Sequence, residues 1–149
     1  MDVLHREVRI AATPDMVFAY LTDPAKIPRW VGVEASSDPR LGGAYRTVIN
    51  TGHVIGGDYV EVVPGRKIVC TWGWIGSTAI PPGSTIVEIV LAPDGRDTIV
   101  TVNHAALPDR ARGGHAEVWD HYLPRLAAAA SGGDPGPDPW AGDSPHAAI

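Results

Sequence analysis

Apolar and polar residues alternate with period two along most of this chain and take up a helical period in two places. Between Val3 and Ala11, Val8 and Ile10 fall on one phase and Glu7 and Arg9 on the other, as in a half-buried strand. The stretch "ATPDMVFAYLTDPAKIPRW" then changes grammar: Thr13 is a helix N-cap, Pro14 suits the first helical position, and Asp15 sits at the positive end of the helix dipole. Val17, Phe18 and Leu21 form an apolar stripe at helical spacing. Asp23 and Pro24 repeat the cap-and-proline signal, which predicts a second short helix stopped near Pro28. From Gly42 onward strand-like runs follow at Tyr45–Thr51, Val54–Val63, Lys67–Ile75, Thr85–Leu91 and Thr98–Ala105, with a further short run near Val31–Ala35. The breaks "NTGH", "VPGR", "PPG" and "PDGR" are turn signals, so the runs read as an antiparallel meander. In "IVCTWGWIG", Ile68, Cys70, Trp72 and Trp74 share one parity, which puts two of the five tryptophans on one face of one strand. The helical period returns after Pro108: His115, Trp119, Tyr122 and Leu126 share a face, and "SGG" stops the helix near Ser131. Pro124 removes a backbone donor inside it and predicts a kink unless the ladder is relieved there.

These elements form a single domain over residues 1–131, and the Gly/Pro/Asp-rich stretch 132–149 reads as a disordered tail. A hydrophobic content of 44% supports a packed core within that domain. The net charge of −5 argues against nucleic acid and anionic membrane surfaces as partners. No window approaches a membrane span, and "MDVLHREVRI" lacks the layout of a signal peptide. Cys70, the only cysteine, sits among apolar neighbours as a buried thiol, and a cytoplasmic location is expected.

The segments "ATPDMVFAYLTDPAKIPRW", "LGGAYR", "GGDYVEVVPGRKIVCTWGW" and "TIVTVNHAALPDRARGGHAEVWDHYLPRL" occur in an order that resembles the SRPBCC superfamily of START-like, helix-grip proteins. Within it they are similar to the bacterial subgroup named after homologues of the heat-shock-ATPase activator, across about residues 3–131. The resemblance implies an α+β fold: a curved antiparallel sheet of six or seven strands wrapped around a long C-terminal helix, with two short helices after the first strand. It also implies a mostly apolar cavity between sheet and helix. The superfamily hosts carriers, cyclases, hydrolases and co-chaperone domains, so the resemblance specifies fold more sharply than function.

If the Ile68–Trp74 face looks at the helix, Trp72 and Trp74 become cavity walls, each with one N–H to orient a polar group. By the same parity counting, Tyr45, Asp58 and His104 point inward, as do His115, Trp119 and Tyr122 on the helix, while Trp30 lies near the cavity mouth. His104 and His115 are the candidate acid–base pair, with a hydrogen-bonded structural histidine as the plainer alternative. No HxH, HExxH or CxxC spacing, triad order or phosphate-binding loop is present, so neither a metal nor a cofactor is expected. The expected partner is a small hydrophobic or aromatic ligand, held by a monomer or homodimer without membrane insertion. A cyclase- or hydrolase-like enzyme and a co-chaperone-type interaction module are the alternatives.

Overall fold

A computed structural model describes residues 3–141. Strand β1 (Leu4–Ile10) leads into helix α1 (Pro14–Thr22) and a single 3-10 turn at Ile27–Arg29. The meander follows as β2 (Glu34–Ser37), β3 (Ala44–Asn50), β4 (His53–Val63), β5 (Lys67–Trp74), β6 (Thr85–Asp94) and β7 (Asp97–Ala105), and helix α2 (Asp109–Ala130) and a second 3-10 turn at Pro139–Ala141 close the order. All seven strands join one antiparallel sheet in the order β1-β7-β6-β5-β4-β3-β2, so the first strand pairs with the last. This is the helix-grip architecture that the family resemblance implies, with the antiparallel meander that the residue pattern predicts.

Local chemistry explains most boundaries. The Thr13 hydroxyl accepts the Met16 N–H and Pro14 opens α1. The second expected helix is shorter than its signal: Asp23 accepts the Lys26 and Ile27 N–H groups in a turn, and only Ile27–Arg29 continues as 3-10. Gly95, with φ near 62°, makes the tight β6–β7 hairpin between Asp94 and Asp97. Pro124 leaves the Asp120 carbonyl without its helical donor, but both residues are exposed, which leaves that carbonyl open to solvent, and α2 runs through.

The inward phases of β5, β6 and β7 are buried, including Ile68, Cys70, Trp72 and Trp74 on β5 and Val100, Val102 and His104 on β7. The facing side of α2 buries His115, Val118, Trp119, Tyr122 and Leu126.

The tail departs from expectation. Residues 132–141 fold back as an ordered strap, because Asp138 and Trp140 find partners on α2 and on the β2–β4 side of the sheet. The remainder of the expected disordered tail, residues 142–149, lies outside the described residues.

Candidate functional site

A cavity of about 100 Å³ lies between the sheet and α2. β3 contributes Tyr45 and Thr47, β4 Ile55 and Tyr59, β5 Ile68, Cys70 and Trp72, β6 Val87 and Ile89, and α2 Val118, Trp119 and Tyr122; Leu21, Ile27, Trp30 and Val31 close it from the α1 side. No charged side chain stands among these residues. Burial pushes the Cys70 thiol up to about 11, so it stays protonated, and burial likewise raises Tyr45 well above its ordinary value.

Next to the cavity, and not on its wall, His104 and His115 lie in a layer of indoles. The Trp119 Nε1–H donates to His104 Nδ1 at 3.1 Å, and the Trp74 Nε1–H donates to His115 Nε2 at 2.9 Å. These bonds fix both tautomers. His115 must carry its proton on Nδ1, which donates to the Ala111 carbonyl at 2.7 Å. His104 must carry its proton on Nε2, which donates to the Thr85 hydroxyl at 2.9 Å, while that hydroxyl donates to the Trp72 carbonyl. The two rings meet edge to face with centroids 5.8 Å apart, and Trp72 packs against both. Burial, and then the neighbouring His115, lowers the His104 pKa to about 3; burial also lowers His115. Both rings are therefore neutral at pH 7 with every nitrogen engaged, and neither offers a free base.

The other polar cluster pins the strap. The Asp138 carboxylate is fully enclosed and accepts four hydrogen bonds: from Tyr122 Oη (2.6 Å), the Gly32 N–H (2.9 Å), His121 Nε2 (3.1 Å) and the Trp140 N–H (2.9 Å). Burial alone would raise its pKa, but these four donors more than offset that and hold it below the ordinary carboxylate value. Trp140 stacks on His121 with centroids 4.0 Å apart, and Arg125 donates to the carbonyls of Trp30, Pro135 and Gly136.

Of the residues expected at the site, Trp30, Tyr45, Trp72, Trp119 and Tyr122 line the cavity. His104, His115 and Trp74 stand beside it in the hydrogen-bonded layer. Asp58 is misplaced by parity counting: it is exposed and lines a groove on the outer face with Arg46 and Pro82. The cause is a bulge. Tyr59 pairs with Cys70 and Glu61 with Val69, so the phase of β4 flips between Tyr59 and Glu61 and the inward residue is Tyr59. Counting missed Tyr59 as a wall residue, because of the same bulge, and missed the Asp138 cluster altogether; Thr47 lies in phase with Tyr45 and lines the wall beside it.

The family model described as "Activator of Hsp90 ATPase homolog 1-like protein" matches residues 11–131. No curated protein matches the chain. Among solved structures, an AHSA1-like protein from Rhizobium etli is 44% identical, with 95% of this chain and 89% of that one covered and a TM-score of 0.75. DynU16, a protein of the dynemicin biosynthetic locus, is 22% identical at a TM-score of 0.78; the match covers 91% of this chain but only 49% of DynU16, so this chain spans about half its length. The Aha1 dimer from Colwellia psychrerythraea is 18% identical at a TM-score of 0.75, with 89% of this chain and 98% of that one covered. At these last two identities the likeness is one of fold. Among the described residues no helix is long and apolar enough to cross a membrane.

Proposed function

The chain belongs to the family of activator-of-Hsp90-ATPase-homologue-1-like proteins, and from that premise we propose that it is a binding domain for one small, neutral, hydrophobic or aromatic molecule held between the sheet and α2. The observation that carries this reading is the uncharged cavity of about 100 Å³ with Trp30, Trp72 and Trp119 on its wall. This cavity is smaller than the roughly 150 Å³ apolar cavity that binds benzene in another protein, so the ligand is no larger than a single ring or a short branched chain, and a ring is seated with a small outward adjustment of the wall. A ring that buries about 200 Å² gains at most about 5 kcal/mol before the cost of immobilising it, so the Kd is no tighter than about 0.2 mM.

The test is tryptophan fluorescence of the purified protein titrated with toluene and other monocyclic compounds. A saturable change that disappears in Val118→Phe, whose larger side chain fills the void while circular dichroism stays native, supports the reading. A folded wild-type protein that responds to no compound of this size refutes it.

The cyclase- or hydrolase-like alternative has less support, because His104 and His115 have no nitrogen left for substrate. The family name and the Aha1 neighbour keep a chaperone-binding role as a second reading. Failure to co-purify with an Hsp90-type chaperone under conditions that retain a known activator would remove it.

A further inference from the structure

Most polar atoms of the cavity wall are already engaged. Trp30 Nε1–H donates to the Tyr20 carbonyl at 2.8 Å, and Trp119 Nε1–H to His104. The Tyr45 hydroxyl donates to the Thr71 carbonyl at 2.6 Å, and the Tyr122 hydroxyl to Asp138. Two groups differ. Trp72 is only 4% exposed and Thr47 only 7%, both line the cavity, and neither the Trp72 indole N–H nor the Thr47 hydroxyl has a hydrogen-bond partner among the described residues. Every fully enclosed side-chain nitrogen and oxygen of the described residues is hydrogen-bonded. These two atoms therefore keep an accessible face, and both residues stand on the cavity wall.

The two groups differ in what they demand. A hydroxyl both donates and accepts, so Thr47 does not fix the polarity of a ligand. An indole N–H only donates, and in apolar surroundings it is unfavourable until an acceptor meets it. A carboxylate or phosphate is excluded by the absence of any charged group on the wall, since a buried ion without a partner is far costlier than a neutral acceptor.

Resting on the ligand-binding reading above, we infer that the ligand is a neutral ring bearing an oxygen acceptor of the ketone, aldehyde or ether class, and that Trp72 is the residue that selects it by donating its Nε1–H to that oxygen.

The probes are acetophenone, α-methylstyrene, which replaces the C=O by C=CH₂ at nearly the same shape, and benzoate. Affinities are measured for the wild type and Trp72→Phe, and the five indole N–H signals are followed in ¹H–¹⁵N spectra of the wild type. The expected result is a downfield shift of the Trp72 indole signal with acetophenone and none with α-methylstyrene. The preference for acetophenone over α-methylstyrene should fall about tenfold in Trp72→Phe; taking the ratio cancels the change in cavity size. Benzoate should bind at least tenfold more weakly than acetophenone. If the variant does not fold, the wild-type shift and the benzoate comparison decide alone. Equal shifts with the two isosteres, an unchanged preference in the variant, or benzoate binding as tightly as acetophenone would each overturn the inference while leaving the ligand-binding reading intact. If neither neutral probe binds the wild type, both fall together.

Discussion

Lowering the pH from 7 to 5 should destabilise this protein through His104, and the size of the effect follows from the hydrogen bonds around the ring. Protonating His104 means putting a proton on Nδ1, where the Trp119 indole already donates at 3.1 Å. It also places a charge 5.8 Å from a second buried imidazole. The folded-state pKa of about 3 lies below the ordinary value of 6.5. A histidine depressed in this way costs nothing above pH 6.5, because it is neutral in both states. Below pH 6.5 the unfolded chain takes up a proton that the folded chain refuses, so stability falls until the pH reaches the folded value. At pH 5 the unfolded side chain lies 1.5 units below its pKa, and at about 1.36 kcal/mol per unit the loss is about 2 kcal/mol from His104 alone. His115 is depressed too and adds loss of the same sign.

The assay is urea unfolding at half-unit steps between pH 7 and pH 5, a window above most carboxylate titration, for the wild type and His104→Gln. The variant should be less stable at pH 7, since glutamine does not reproduce the imidazole geometry. Its stability should also fall less steeply with acid, with about 2 kcal/mol of the wild-type decline missing. Parallel pH curves for the two proteins would refute the reasoning, as would an NMR titration of His104 with a midpoint near 6.5 in the folded protein.

Other consequences are equally direct. Gly57→Ala would place a Cβ 2.0 Å from the Thr71 carbonyl oxygen, which is backbone and has no room to yield; a loss of about 3 kcal/mol or more is expected, read as a lower urea midpoint or failure to accumulate folded protein. Asp138→Asn keeps the shape but turns one acceptor atom into a donor facing Tyr122, Gly32, His121 or Trp140. It should cost about 2–3 kcal/mol and open residues 132–141 to proteolysis ahead of the sheet. In the wild type, the stability contributed by the depressed Asp138 is present above the ordinary value of 3.8 and lost as the pH falls through its lower folded value, so acid loosening of the strap, followed by Trp140 fluorescence, belongs below pH 3.8.

The strands and α2 were legible because their side-chain phases are strict and their turns carry strong residues. Val100, Val102 and His104 are buried as their alternation requires, and the α2 face is the one spaced at three and four residues. Asp58 was not legible, because one extra residue between Tyr59 and Glu61 inverts the phase and nothing in "GDYVEVV" announces a bulge. The strap was not legible for a different reason. Apart from the Trp140 ring it carries no large apolar group, and its order comes from a carboxylate and an indole meeting Gly32, Asn50, His121 and Tyr122 across long stretches of sequence.

That long-range chemistry also explains why a void can persist beneath a helix. An empty apolar space of about 100 Å³ costs on the order of 2 kcal/mol at roughly 24 cal/mol per Å³, and sliding α2 toward the sheet would relieve it. The helix is held against that motion along its length. Toward its first turns, Trp119 and Trp74 cross between helix and sheet to engage His104 and His115 in opposite directions. Further along, Tyr122 and His121 are tied to Asp138, and Arg125 to the carbonyl of Trp30. At about 1 kcal/mol for each buried hydrogen bond, and more for those to a carboxylate, these five contacts outweigh the gain from collapse. Any displacement large enough to close the cavity would break several of them at once. The polar residues that look most catalytic in the sequence therefore act as spacers, and under the proposed ligand-binding function recognition falls to the aromatic wall they hold apart.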